Sequence, residues 1–182
     1  MKKTIAAVLI LLVFGIGIIL TPSIKLEKQY DRGNDYILNS ELKYKINSET
    51  HGMDEMEILN YSIKTSGDYL EFAEKNNIND HKANCVGYAK LCSCICNYAL
   101  SVNNMSGYAK PVVGYPKFSK VNICHILKYI APKKYKAFVK NHDFVEFSFG
   151  NGIIYADPCA YDLIGTDCTT FKSNKPSPDT DR

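Results

Sequence analysis

Apolar residues recur at helical spacing over the stretch from Cys85 to about Leu100, where Ala89, Cys92, Cys96 and Ala99 follow Cys85 along one stripe. This predicts a buried helix. Asn84 stands where an N-cap belongs, since its side-chain oxygen can accept a backbone N–H that the first helical turn leaves unpaired. Upstream, Met56, Ile58, Leu59 and Ile63, with acids in the first turn, predict a helix over Asp54–Lys64. Gly67-Asp68 is expected to end it, leaving Tyr69–Ala73 as a short amphipathic piece, and 76–82 reads as a polar loop. Downstream the rhythm changes. Asn103–Gly107 is a turn, Tyr108–Tyr115 reads as a first strand, and His142–Phe149 alternates as a strand does. Gly150-Asn151-Gly152 predicts a hairpin turn, Ile153–Asp157 the return strand, and Pro158 its end.

Three stretches carry less pattern. Thr21–Asn47 reads as a polar tether with an N-terminal element, in which Ile37, Leu38, Leu42, Tyr44 and Ile46 supply apolar contacts. Lys117–Asn141 holds seven lysines and no acidic residue, interleaved with Phe118, Tyr129, Tyr135 and Phe138. It reads as a solvated basic face on short helices, or as a rim for lipid headgroups or an acidic substrate. Beyond about Thr166 the chain turns rich in Thr, Ser, Pro and Asp and is expected to be a disordered tail. The organisation is thus an N-terminal segment over 1–25, a domain over 26–165 and a tail over 166–182. Composition is ordinary for one globular core, and a net charge of +3 is too small to argue for nucleic acid.

Met1-Lys2-Lys3 precedes an uncharged run from Thr4 to Leu20, near the ~20 residues of a spanning helix. Residues 4–20 are expected to be an uncleaved membrane anchor with the domain on the exported side, a removed signal peptide being the alternative. Export raises the question of disulfides among seven cysteines. Cys92 and Cys96, one helical turn apart, stand about 6 Å apart at Cβ, beyond disulfide reach. They read, with Cys94, as core or groove-filling residues. Cys124, Cys159 and Cys168 are the plausible bridging partners, with Cys159–Cys168 closing a short loop. No C-x-x-C pair occurs, and C-x-C-x-C on a helix splays its ligands, so no metal is expected.

Candidate chemistry begins at Cys85. A cysteine at a helix N-terminus sits in the positive end of the dipole, where thiolate is favoured. His142 heads one strand and Asp157 ends its hairpin partner, so pairing brings them within reach. If the helix start packs against that edge, the three form a nucleophile, a base and an orienter. His125, on the basic stretch, is an alternative base without an aspartate placed like Asp157.

Cys85 with Tyr88-Ala89, the Gly114-Tyr115 strand end, His142-x-Phe144-x-Glu146 and Tyr155-x-Asp157-Pro158 resemble the transglutaminase-like superfamily of cysteine enzymes. Members follow the order Cys, His, Asp, with an H-x-W-x-E strand and the aspartate fifteen residues after the histidine, the interval seen here. The likeness covers about Asp54–Cys159. Ala83 replaces a common glycine, and Phe144 and Tyr155 replace tryptophans. The stretch between Gly114 and His142 is longer than in a minimal member. The resemblance implies an α+β fold with a papain/transglutaminase-like core, in which a central helix carrying Cys85 packs on a small antiparallel sheet carrying His142 and Asp157. It implies acyl transfer from amide bonds, more hydrolytic than cross-linking, with no metal or organic cofactor. A protein or peptide would be the substrate, a peptidoglycan peptide among the candidates. The competing expectation is a catalytically degenerate, membrane-tethered module binding peptide or glycan.

Overall fold

A computed structural model describes residues 24–75, 83–118, 121–122, 142–150, 152–164 and 170–173. The described strands are β1 (Ile24–Asp31), β2 (Tyr108–Phe118), β3 (Val121–Asn122), β4 (His142–Phe149), β5 (Gly152–Ala156) and β6 (Thr170–Ser173). The described helices are α1 (Ser40–Glu49), α2 (Glu55–Lys75), α3 (Cys85–Val102) and α4 (Pro158–Ile164). The strands pair antiparallel in the order β1-β2-β4-β5-β6, with β3 beside β2, and β1 comes round to approach β6. Helices segregated against one curled antiparallel sheet make this an α+β arrangement.

The period-2 pattern of β4 explains the layering. Val145, Phe147 and Phe149 face the helices and pack with Ala89, Cys92 and Cys96 of α3. Phe144 points the other way, into a second cluster with Leu26, Val112 and Tyr155 inside the curl. There the Phe144 and Tyr155 rings meet edge to face, with centroids 5.6 Å apart. The small residues on the α3 stripe let the helix lie close to the sheet, and Cys92, Ala89, Cys96 and Ala99 are fully buried. α3 is also, among the described residues, the one helix long and apolar enough to cross a membrane. Its burial identifies it as the core helix of this domain.

Several expectations change. Gly67 does not break α2, which runs unbroken to Lys75. A helical glycine costs about 1 kcal/mol against alanine, and burial of Ser66, Leu70 and Ala73 on the same helix outweighs that. Asp54 starts this helix with a reciprocal cap: its carboxylate accepts the Met56 and Glu57 N–H groups, while Glu57 accepts that of Asp54. The stretch read as a tether contains a strand, β1, and a helix, α1, capped by Asn39 and anchored by buried Leu42 and Ile46. Pro158 ends β5 and also opens α4, a position where its missing N–H costs nothing. β6 lies within the segment assigned to the tail and pairs with β5.

Gly114 sets how tightly β1 joins the sheet. A Cβ there would stand 2.0 Å from the Glu27 carbonyl oxygen and 2.8 Å from the Phe144 ring. Only glycine permits that approach, and the same residue pairs with His142 across the β2–β4 ladder.

Candidate active site

The helix start is built as its sequence dictates. Asn84 accepts the Gly87 N–H at 3.0 Å through its side chain, and Cys85 is the first residue of α3. Cys85 is 8 % exposed. Its own backbone N–H belongs to the first turn, which helical geometry leaves without an internal partner.

His142 opens β4, opposite Gly114. The β4–β5 ladder ends at Val145–Ala156, and Asp157 steps off it as the residue before α4. One carboxylate oxygen of Asp157, Oδ1, accepts the N–H groups of Cys159 at 3.1 Å and Ala160 at 3.0 Å. That cap fixes the carboxylate and turns Oδ2 onto His142 Nε2, with which it pairs. Strand pairing alone does not make this contact; the cap of α4 does. Burial opposes charge on the imidazole, but hydrogen bonds to Asp157 and to Cys85, with their negative charges, push His142 up to about 10. Asp157 holds Nε2, leaving Nδ1 for the sulfur. Cys85, His142 and Asp157, far apart in sequence, therefore meet at one end of α3.

A second pair stands at the same place. Asp143 Oδ2 lies 4.0 Å from Cys85 Sγ. Arg32, just past β1, brings Nη2 to within 3.3 Å of that oxygen and sets Nε against Oδ1. Burial pushes the Asp143 carboxyl up, against the opposing pull of Arg32, His142 and Lys90. Neither Arg32 nor Asp143 figured among the residues expected at the site. The signal was present, since Asp143 shares the strand parity of Val145 and Phe147, which pack on α3.

Cys159 is buried and free, which overturns its expected role as a bridging partner. It lies at the start of α4, beside the site, and burial with the negative charges of Asp157 and Cys85 pushes its thiol up to about 12. Cys92, Cys94 and Cys96 are free as well. Cys124, Cys168, His125, most of Lys117–Asn141 and residues 4–20 lie outside the described residues. Compared with known proteins, the chain matches no protein-family model, no curated protein and no solved structure.

Proposed function

We propose that this chain is a cysteine enzyme of transglutaminase-like type, with a papain-like core, acting on amide bonds through Cys85, His142 and Asp157. One observation carries the reading: His142 is clasped between a capped Asp157 carboxylate and the Cys85 sulfur at a helix N-terminus. An imidazolium beside a sulfur favours the nucleophilic thiolate.

In the reaction the Cys85 thiolate attacks the amide carbonyl carbon, and the carbonyl electrons move onto oxygen. The Cys85 N–H, aligned with the dipole of α3, is the donor placed to receive that oxyanion. On collapse the C–N bond breaks and His142 gives its proton to the departing amine. The neutral imidazole then takes a proton from water, which attacks the thioester and releases the acid and Cys85. Asp157 keeps His142 in the tautomer that serves both steps. Hydrolysis is the favoured outcome, and a protein or peptide is the substrate class. The uncharged run at residues 4–20 would hold the domain at a membrane, on its exported side.

Iodoacetamide labelling at pH 5.5, read peptide by peptide, tests the core of this. Cys85 should react at least tenfold faster than the half-buried Cys94, and His142→Ala should erase that advantage. Equal rates for the two thiols in the parent chain would overturn the reading and leave a binding module.

A further inference from the structure

Resting on that reading, we propose that Arg32 and Asp143 form a pair that tunes the nucleophile: Asp143 accepts the Cys85 S–H of the resting thiol, and Arg32 supplies the charge that keeps this carboxylate from opposing ionisation to the thiolate. An uncompensated carboxylate 4.0 Å from the sulfur would favour the thiol. A guanidinium is charged at every relevant pH, and this one reaches both oxygens of Asp143, Nη2 by a hydrogen bond to Oδ2 and Nε by ionic contact with Oδ1 alone.

Arg32 is built into place from two directions. Its backbone N–H donates to the Pro111 carbonyl of β2 at 3.0 Å. Two residues on, Asn34 donates to the Lys90 carbonyl at 3.0 Å and to Ser93 Oγ at 2.9 Å, tying the segment to α3. The guanidinium is therefore held between the sheet and the helix that carries Cys85. A purely structural requirement at position 143 would be met by an apolar residue in register with Val145, because buried ion pairs contribute little net stability. The charged and titratable groups that meet Cys85 are His142 and Asp143 from β4 and Cys159 from α4; behind them, Asp157 acts on His142 and Cys159, and Arg32 and Lys90 of α3 act on Asp143.

The experiment is the rate of Cys85 alkylation by iodoacetamide from pH 5 to 8 in the full chain. It compares the parent with Arg32→Gln, Asp143→Asn, the double variant and Arg32→Lys. Asp143→Asn is expected to react about tenfold faster at pH 5.5, its profile moving toward acid, and Arg32→Gln about tenfold slower, moving toward base. The double variant should return to within about threefold of the parent, and Arg32→Lys, which keeps the charge, should stay as close. A merely structural role would alter the plateau rate at high pH without moving the profile along the pH axis. Should Arg32→Gln fail to fold, Asp143→Asn against Arg32→Lys still decides, the former having to be the faster at pH 5.5. Profiles that do not shift in opposite directions for the two charges, or in the fallback an Asp143→Asn no faster than Arg32→Lys, overturn the proposal. Failure of the enzymatic reading shows separately, in a parent Cys85 no more reactive than Cys94.

Discussion

Two carboxylates three residues apart on β4 are both buried, at 2 % and 3 % exposure, yet they live under opposite electrostatics. Asp143 faces α3 and is paired with Arg32, while His142 and Lys90 act on it through charge alone. Glu146 faces the inside of the curl, where Lys28 donates to Oε2 at 2.8 Å, Lys110 lies 3.1 Å from Oε1 and the Tyr155 hydroxyl adds a further bond. Burial pushes both carboxyls up. At Glu146 the lysines win and hold it below its ordinary value, whereas at Asp143 burial prevails over Arg32. A buried anion is stabilised by the number of donors aimed at it, and the less satisfied of the two is the one beside the Cys85 sulfur. Glu146 therefore reads as a structural knot, and Asp143 as the under-compensated carboxylate on which the proposed tuning of Cys85 rests.

The largest effect expected from breaking this contrast is on stability. Glu146→Ala leaves two lysines and a tyrosine hydroxyl facing a void inside the curl. Loss of one partner of a buried charged cluster costs about 3–5 kcal/mol, and the partly exposed lysines bring this to about 2–4 kcal/mol. Asp143→Asn should cost less, about 0–2 kcal/mol at pH 7, because the loss of a counter-charge for Arg32 is offset by removal of a charge that burial opposes. Urea unfolding of both variants checks this directly. A larger loss at position 143 than at 146 would reverse the assignment of roles.

Next comes the pH dependence, in which the two residues pull in opposite senses. Glu146 has a depressed value, so its contribution is present above its ordinary 4.5 and lost as pH falls through the folded value. Asp143 has a raised value, so its contribution is complete below its ordinary 3.8 and lost as pH rises through the folded value. Melting temperatures from pH 7 down to 3 should show the deficit of Glu146→Gln shrinking toward the parent. The stability of Asp143→Asn relative to the parent should move the other way over the same descent, becoming less favourable as Asp143 protonates in the parent. Parallel curves for the two variants would remove the contrast.

The same comparison shows what could be read from the chain alone. The hairpin of β4 and β5 and the core helix α3 were legible because period-2 alternation, an Asn cap and a small-residue stripe are local signals that burial then reinforced. Cys85, His142 and Asp157 stood out for the same reason, each at an element's end. β1 and α1 were not legible, since Lys28, Arg32 and Asn39 look like tether residues until their partners are known. Lys28 and Arg32 bond to Glu146 and Asp143, 118 and 111 residues away. Asp143 shows no purpose without Arg32, and the hairpin register does not reveal that Asp157 reaches His142 by capping α4. The break expected at Gly67 misled because local propensity amounts to about 1 kcal/mol, less than the burial of the residues around it.

The smallest effect sharpens the contrast most. Lys28 and Lys110 keep 23 % and 31 % of their side chains exposed, and each also meets Asp31. Solvent screening limits either one singly, so Lys28→Met or Lys110→Met should cost about 0.5–1 kcal/mol. After either change Glu146 still has one cation and the Tyr155 hydroxyl. Removing both lysines leaves the carboxylate with the hydroxyl as its remaining named donor and recreates at position 146 the under-compensated state of Asp143. The double variant should therefore lose more than the two single losses combined, by about 1 kcal/mol of coupling in a double-mutant cycle. Relative to the parent, its stability should then rise, not fall, as pH drops toward 4, because Glu146 would share the raised value seen at Asp143. Strict additivity would mean that the lysines act on Glu146 independently and that donor count does not separate the two sites.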